Sequence, residues 1–397
     1  MHPRVWAGID AGKAHHHCVA IDSEGNKLLS RRVANDEPEL LQLLADVLAL
    51  GHEVVWAVDL ADGGAALAIT TLLAHDQQVL YISGRTVNRA SEAYRGESKS
   101  DARDAAIIAD QARMRRDLTP MRLPDSLSAE LKLLTARRTD LVCDRTRTIN
   151  RLRAQLNGIF PALERALDLS NAGPLILLTG YQTPASIRRL GRTRLEAWLR
   201  RRKVRSAGQV ARTALEAAER QHTAVPGEDV AAELVHTLAQ QLTALNEQIA
   251  AVDRRIAERF REHELAEVIT SMPGIGPTLG AEFLAATNGD MELFGSPDRL
   301  AGFCGLAPAS RDSGRISGNL RRPQRYHRGL QRVFYTSALI SIQRHPESRA
   351  FYDRKRAEGK RHTQAVIALA RRRVNVLWAL LRDRRCYQAV PPVAMAA

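Results

Sequence analysis

Two short apolar runs, VWAGIDAG at residues 5–12 and EVVWAVD at residues 53–59, close on an acid, Asp10 before a glycine in the first and Asp59 in the second. Runs of this length and composition form buried strands rather than helices. Between them lie HHHCVAID (15–22), the turn SEGN (23–26) and KLLSRRVA (27–34), a pair of further strands, and then PELLQLLADVLAL (38–50), whose apolar spacing is helical. A second helix, AALAITTLLAHD (65–76), and another buried strand, QVLYIS (78–83), follow.

A hairpin meander followed by alternating helices and strands is the chain order of a ribonuclease-H-like α/β fold. Acids at the ends of its strands can converge at one edge of the sheet. SDARDAAIIADQAR (100–113) reads as a helix with Asp101 and Asp104 on one face, where two like charges repel unless a cation joins them. Four acids, Asp10, Asp59, Asp101 and Asp104, could hold one or two Mg²⁺ ions, which take a few carboxylates together with water and substrate phosphate. Taken singly, each acid reads as structural: a strand-end aspartate caps a turn, and Asp101 could be an N-cap. Lys99 is either a phosphate contact or a solvated lysine. HHHC (15–18) does not form one metal site, because His15 and His17 point to the opposite side of a strand from His16 and Cys18.

Charge divides the chain. Residues 1–110 carry 10 Lys/Arg against 16 Asp/Glu, and the remainder 48 against 28. An acidic first part suits cations and a basic second part suits phosphates. The overall +14 and pI near 10.2 indicate a nucleic-acid partner. No apolar run is long enough to span a membrane, and no leader-like stretch precedes Asp10, so a cytoplasmic protein associated with the bacterial nucleoid is expected. Cys18, Cys143, Cys304 and Cys386 are widely separated and are expected to be reduced and mostly buried.

Residues 126–168 are helical and rich in arginine. Residues 188–212 hold ten Lys/Arg, including Arg200, Arg201, Arg202 and Lys203, against the single acid Glu196, a composition that suits a phosphate track. Leu238, Leu242, Leu245, Ile249, Val252 and Ile256 step as a coiled-coil seam, for an intramolecular helical hairpin or a dimer contact. SMPGIGPTLG (271–280) resembles a helix–hairpin–helix element, with backbone N–H groups at Gly274 and Gly276 able to face a phosphate. Residues 300–332 are rich in glycine, serine and arginine and read as a poor core. Within them Ser313, flanked by Arg311 and Arg315, could attack a phosphodiester while the arginines offset charge on the phosphorus oxygens. By residue type alone, Ser310 and Ser317 are equally admissible.

GIDAGK, an acid after the strand near residue 59, KSDARDA, SMPGIG and AGFCGLAP…DSG, in this order, resemble the insertion-sequence family one-ten transposases, DEDD-type serine recombinases guided by a bridge RNA. The resemblance covers nearly the whole chain. It implies a RuvC-like domain whose acids are Asp10, Asp59, Asp101 and Asp104, and it selects Ser313 as the nucleophile that links covalently to cut DNA. The family's second acid is usually glutamate; Asp59 is one methylene shorter, and Asp62 is the other candidate. The resemblance further implies Mg²⁺, DNA at the element ends and target, a structured guide RNA, and a dimer or tetramer whose active site draws the two modules from different protomers. The expected divisions are a RuvC-like domain (1–120), a basic helical and coiled-coil region (121–262), a mostly helical C-terminal domain with the serine loop (263–390) and a tail (391–397). Two other functions stay open: a RuvC-like junction resolvase that hydrolyses with water, and a non-catalytic nucleic-acid-binding protein.

Overall fold

The computed structural model describes residues 4–94, 100–122, 125–287, 289–315 and 317–389. The chain divides into two compact units, Met1–Pro124 and Asp125–Ala397.

The first unit contains β1 (Arg4–Ala11), β2 (His15–Ile21), β3 (Lys27–Ala34), α1 (Glu37–Leu48), β4 (Glu53–Val58), α2 (Ala66–Ala74), β5 (Gln78–Tyr81), α3 (Gly84–Ser91), α4 (Asp101–Met114) and the two-residue β6 (Thr119–Pro120). The sheet order is β3-β2-β1-β4-β5-β6, with β1, β4 and β5 parallel and β2, β3 and β6 antiparallel to their neighbours. This mixed sheet with helices is the ribonuclease-H-like arrangement that the chain order indicates. Both faces are covered, which is why β1 and β4 read as continuous apolar runs. Val5, Ala7 and Ile9 pack with Leu40, Leu43 and Leu44 of α1 and Leu72 of α2, while Trp6 packs with Ile107 and Ile108 of α4 on the other face.

One contact sets the height of α4 on the sheet. A Cβ placed on Gly8 would fall 2.2 Å from the carbonyl oxygen of Ala105 and 2.4 Å from the nitrogen of Ala109. Glycine at 8 therefore lets the helix backbone lie directly on β1. Arg113, near the other end of α4, donates to the carbonyl of Ser23 beyond β2. Together these contacts make α4 antiparallel to β1, so its first turn lies at the carboxyl ends of β1 and β4.

The second unit begins with the 34-residue α5 (Ser126–Ile159), which stops where Pro161 opens α6 (Pro161–Ala166). It continues through α7 (Ala172–Leu178), α8 (Pro184–Arg201), α9 (Ala207–Glu219), the second long helix α10 (Glu228–Arg261), α11 (Ala266–Ser271), α12 (Pro277–Thr287) and α13 (Pro297–Phe303). A short ribbon of β7 (Ala309–Ser310) and β8 (Leu320–Arg321) precedes α14 (Arg328–Arg344), α15 (Pro346–Ala357) and α16 (His362–Arg382).

The helices α5 and α10 pair antiparallel, tied by Arg259–Glu130 (2.8 Å), Arg138–Asp253 (2.5 Å) and Arg145 Nε to Asn246 Oδ1 (2.6 Å). They run through two hydrophobic cores. One gathers Leu152 and Leu156 of α5, Leu242 of α10 and helices α6–α9; the other gathers Leu131, Ile256 and Phe260 with helices α11–α16. Leu245 and Ile249 of the expected seam are only half-buried.

Two expectations are corrected. Residues 300–332 are not uniformly a poor core: Leu300, Ala301, Cys304, Leu306 and Leu330 are buried, and exposure is concentrated in the ribbon and its turn. Of the four free cysteines, Cys18 and Cys304 are buried but Cys143 and Cys386 are exposed, because the latter two lie on an outward helix face and beyond the last helix. Among the described residues no helix is long and apolar enough to cross a membrane.

Candidate active site

Asp10 and Asp59 leave adjacent parallel strands at the same level. Ile9 lies beside Val58 in the β1–β4 register, and each aspartate is the next residue. Because Gly8 faces α4, Asp10, two residues on, faces the same side. The first turn of α4 then brings Asp101 and Asp104 over this edge. Ser100, not Asp101, is the N-cap, its Oγ accepting from the Arg103 N–H at 3.3 Å. The helix start is thus capped without either aspartate, although both gain from the positive end of the helix dipole.

The electrostatics bind the group together. Burial pushes the Asp59 carboxyl above its ordinary pKa; the Ala11 N–H, donating to Oδ1 at 3.1 Å, pulls it back; Asp104 pushes it further up. His16 opposes that rise. Its ring is 1 % exposed, and neither nitrogen has a hydrogen-bond partner among the described residues. His17 stands opposite Asp10 in the β1–β2 register. Burial lowers its pKa while Asp101 raises it. Alternation along the strand argues against a metal site built from HHHC, and the place of these histidines beside the acids follows from the hairpin register. Asp62 is exposed on the loop after β4.

A cluster of carboxylates with one member pushed up by burial and by another's charge is a donor set that suits a hard cation. Among the described residues no three His, Cys, Asp or Glu side chains form a ready cage. A Mg²⁺ site that relies on water and substrate phosphate for much of its coordination does not require one.

The Asp59 shift carries an expectation. The folded chain holds the Asp59 proton more tightly than the unfolded chain does. The stability this group contributes is therefore present below the unfolded carboxyl pKa and lost as pH rises through the folded one. Asp59→Asn should accordingly raise the melting temperature of the metal-free protein at pH 7. It should also lose whatever stabilisation Mg²⁺ gives the parent. Thermal melts at acidic and neutral pH, with and without Mg²⁺, check both; a lower melting point at pH 7 contradicts the expectation.

The remaining residues fall in the second unit or outside the described set. Lys99 lies outside it. Ser313 is exposed at a bridge position that opens the turn between β7 and β8, and its hydroxyl has no hydrogen-bond partner among the described residues. The turn is pinned beside it: the Arg311 N–H donates to Asn319 O at 2.9 Å and the Asn319 N–H to Asp312 Oδ1 at 2.9 Å. Arg311 and Arg315 are exposed on either side.

The hairpin between α11 and α12 differs from the sequence reading in detail. Gly274 has φ +84°, and a Cβ there would meet Ser337 O at 2.6 Å, so its missing side chain makes room for α14. Gly276 is exposed with open space around it. Arg200, Arg201, Arg202 and Lys203 are all exposed at the end of α8; Arg200 pairs with Glu196 at 2.5 Å and Arg202 stacks 3.7 Å above Trp198.

Comparison with known proteins adds an independent line. A DEDD-type IS110 model, described as a transposase, matches residues 7–161, and a model for the IS116/IS110/IS902 transposase family matches residues 266–353. The chain is 59 % identical over 395 residues to the 42 kDa protein of insertion element IS900 from Mycobacterium paratuberculosis, covering 99 % of each. It is 37 % identical over 394 residues to the 43.6 kDa protein of insertion element IS110 from Streptomyces coelicolor, covering 98 % of this chain and 97 % of that one. A shorter likeness, 30 % over 125 residues, covers 30 % of this chain and 38 % of the pilin gene-inverting protein of Moraxella bovis.

Proposed function

The chain belongs to the IS116/IS110/IS902 family of transposases, and we propose that it cuts and rejoins DNA through a covalent phosphoserine at Ser313, with Mg²⁺ held by Asp10, Asp59, Asp101 and Asp104. Membership makes it a DNA-cleaving and DNA-transferring enzyme of an insertion element, and its DEDD domain implies a divalent metal.

The observation that supports the metal reading is that Asp59 and Asp104 lie near enough to disturb each other, with Asp10 ending the strand beside Asp59 and Asp101 in the same helical turn as Asp104. A bound Mg²⁺ supplies Lewis-acid polarisation of a phosphate. The chain's own residues do the rest. Ser313 Oγ gives up its proton and bonds to phosphorus as the bond from phosphorus to one sugar oxygen breaks. That oxygen takes up a proton, and rejoining runs the exchange in reverse. Because one phosphate ester replaces another, the bond energy is retained for the second step. Arg311 and Arg315 offset charge on the phosphorus oxygens.

Arg200, Arg201, Arg202 and Lys203, with the hairpin at Gly274 and Gly276, are assigned to nucleic-acid backbone. The half-buried seam at Leu245 and Ile249 is assigned to contact with a second copy in a dimer or tetramer. The guide RNA is carried by the family resemblance and suits the basic second part of the chain. Sequencing RNA that co-purifies with the protein tests it: a discrete species from the protein's own locus is expected, and random fragments would remove the guide from the account.

One observation favours hydrolysis by water instead: Ser313 has no hydrogen-bonded base among the described residues. Trapping a protein–DNA adduct during cleavage separates the two readings. The parent should form it and Ser313→Ala should not.

A further inference from the structure

Three arginines of the second unit line one cavity; none is ion-paired within 4.0 Å among the described residues, although Arg354 lies near enough to Glu358 to lower its carboxyl pKa. The cavity, of about 380 Å³, is bounded by the hairpin at Pro273, by α15 and by α16, and is lined by Arg354, Arg372, Arg373, His345, Phe351 and Tyr387.

Arg373 stands apart from the others. It falls on the apolar face of α16 with Val366, Leu369, Ala370 and Leu377 and is 4 % exposed. Its Nε and Nη2 donate to Ser337 Oγ at 3.0 and 2.7 Å, and Nη2 also donates to the carbonyl oxygen of Pro273. A guanidinium withdrawn from water without an anion is costly, and burial lowers its pKa to about 10. Arg354 and Arg372 flank the Phe351 ring, their Cζ atoms 5.2 and 5.3 Å from its centroid. The one acid in the lining, Glu347, is exposed and accepts from the Tyr387 hydroxyl at 3.4 Å.

We propose that this cavity binds a phosphate of a nucleic-acid strand, with buried Arg373 at its base and exposed Arg354 and Arg372 at its mouth. Three planar guanidinium groups against a single acid in the lining match a tetrahedral anion with several acceptor oxygens. Arg373 also holds the carbonyl of Pro273, so a phosphate bound there would fix the strand beside the Pro273–Gly276 hairpin. The proposal rests on the nucleic-acid reading of the family.

The test measures binding of labelled single-stranded DNA, single-stranded RNA and duplex DNA across a salt series. It compares the parent, Arg354→Gln with Arg372→Gln, Glu347→Gln, and a charge-matched control, Arg254→Gln with Arg255→Gln, on the exposed surface of α10. The cavity pair should lose about tenfold in affinity. Its salt slope should fall by about 0.7–0.9 for the phosphate lost, more than in the control. Glu347→Gln, which removes the nearby negative charge, should tighten binding by about threefold. Misfolding does not explain a gain in affinity. The nucleic acid whose binding responds identifies the source of the phosphate. Equal effects of the cavity pair and the control would overturn the site while leaving nucleic-acid binding intact. A parent that binds none of the three probes would remove the nucleic-acid reading, and this site with it.

Discussion

Asp101→Asn combined with Asp104→Asn should reduce DNA cleavage by about 10³-fold or more and leave DNA binding unweakened. Asparagine keeps the size of each side chain, and the Ser100 cap of α4 does not involve either residue. What is lost is negative charge: the pair that faces the ends of β1 and β4 can no longer attract a cation, and Asp59 no longer feels Asp104. Removing acids from a protein that binds a polyanion can only help the electrostatics of association. A binding protein with incidental acids would show the same binding and have no cleavage to lose. Measuring cleavage and binding on one DNA, with Mg²⁺ present, separates these. Cleavage at the parent rate in the double variant would exclude the four-acid metal site.

Ser313→Ala should remove the covalent protein–DNA species altogether and lower strand transfer by on the order of 10⁶-fold, as loss of a nucleophile does elsewhere. The fold should not notice. Ser313 is exposed, and the turn is held by Arg311, Asp312 and Asn319, none of which it contacts through a hydrogen bond. Stability should stay within about 0.5 kcal/mol, as for surface changes generally. The variant therefore reports chemistry rather than unfolding. Normal cutting by Ser313→Ala would replace the serine mechanism with hydrolysis by water.

The first unit was legible because its signals are local. Apolar runs closed by aspartates mark β1 and β4, and the hairpin pattern marks β2 and β3, with ends within a residue or two of those observed. The short α3 was not read, since GRTVNRAS carries only one buried apolar residue, Val87. The role of Gly8 was not legible either: that a helix backbone presses on it is a tertiary fact. Gly274 shows the same limit in reverse. A Gly-x-Gly turn invites a phosphate reading, yet its first glycine makes room for α14. Arg373 did leave a trace. Its spacing from Val366, Leu369 and Ala370 puts a charge on an apolar helix face, but within the run ARRRVNV it reads as one more surface arginine. The paired α5 and α10 were visible as long periodic helices. Their division between two cores depends on which helices pack at each end, and periodicity does not encode that.

Mass spectrometry of the protease-digested protein–DNA adduct, formed on element-end DNA with Mg²⁺ and quenched during cleavage, tests the central claim most directly. The account predicts a single nucleotide-bearing peptide containing Ser313, absent when the metal is chelated and absent in the Asp101→Asn, Asp104→Asn protein. Cleaved DNA with no modified peptide, or with the nucleotide on another residue, would contradict it.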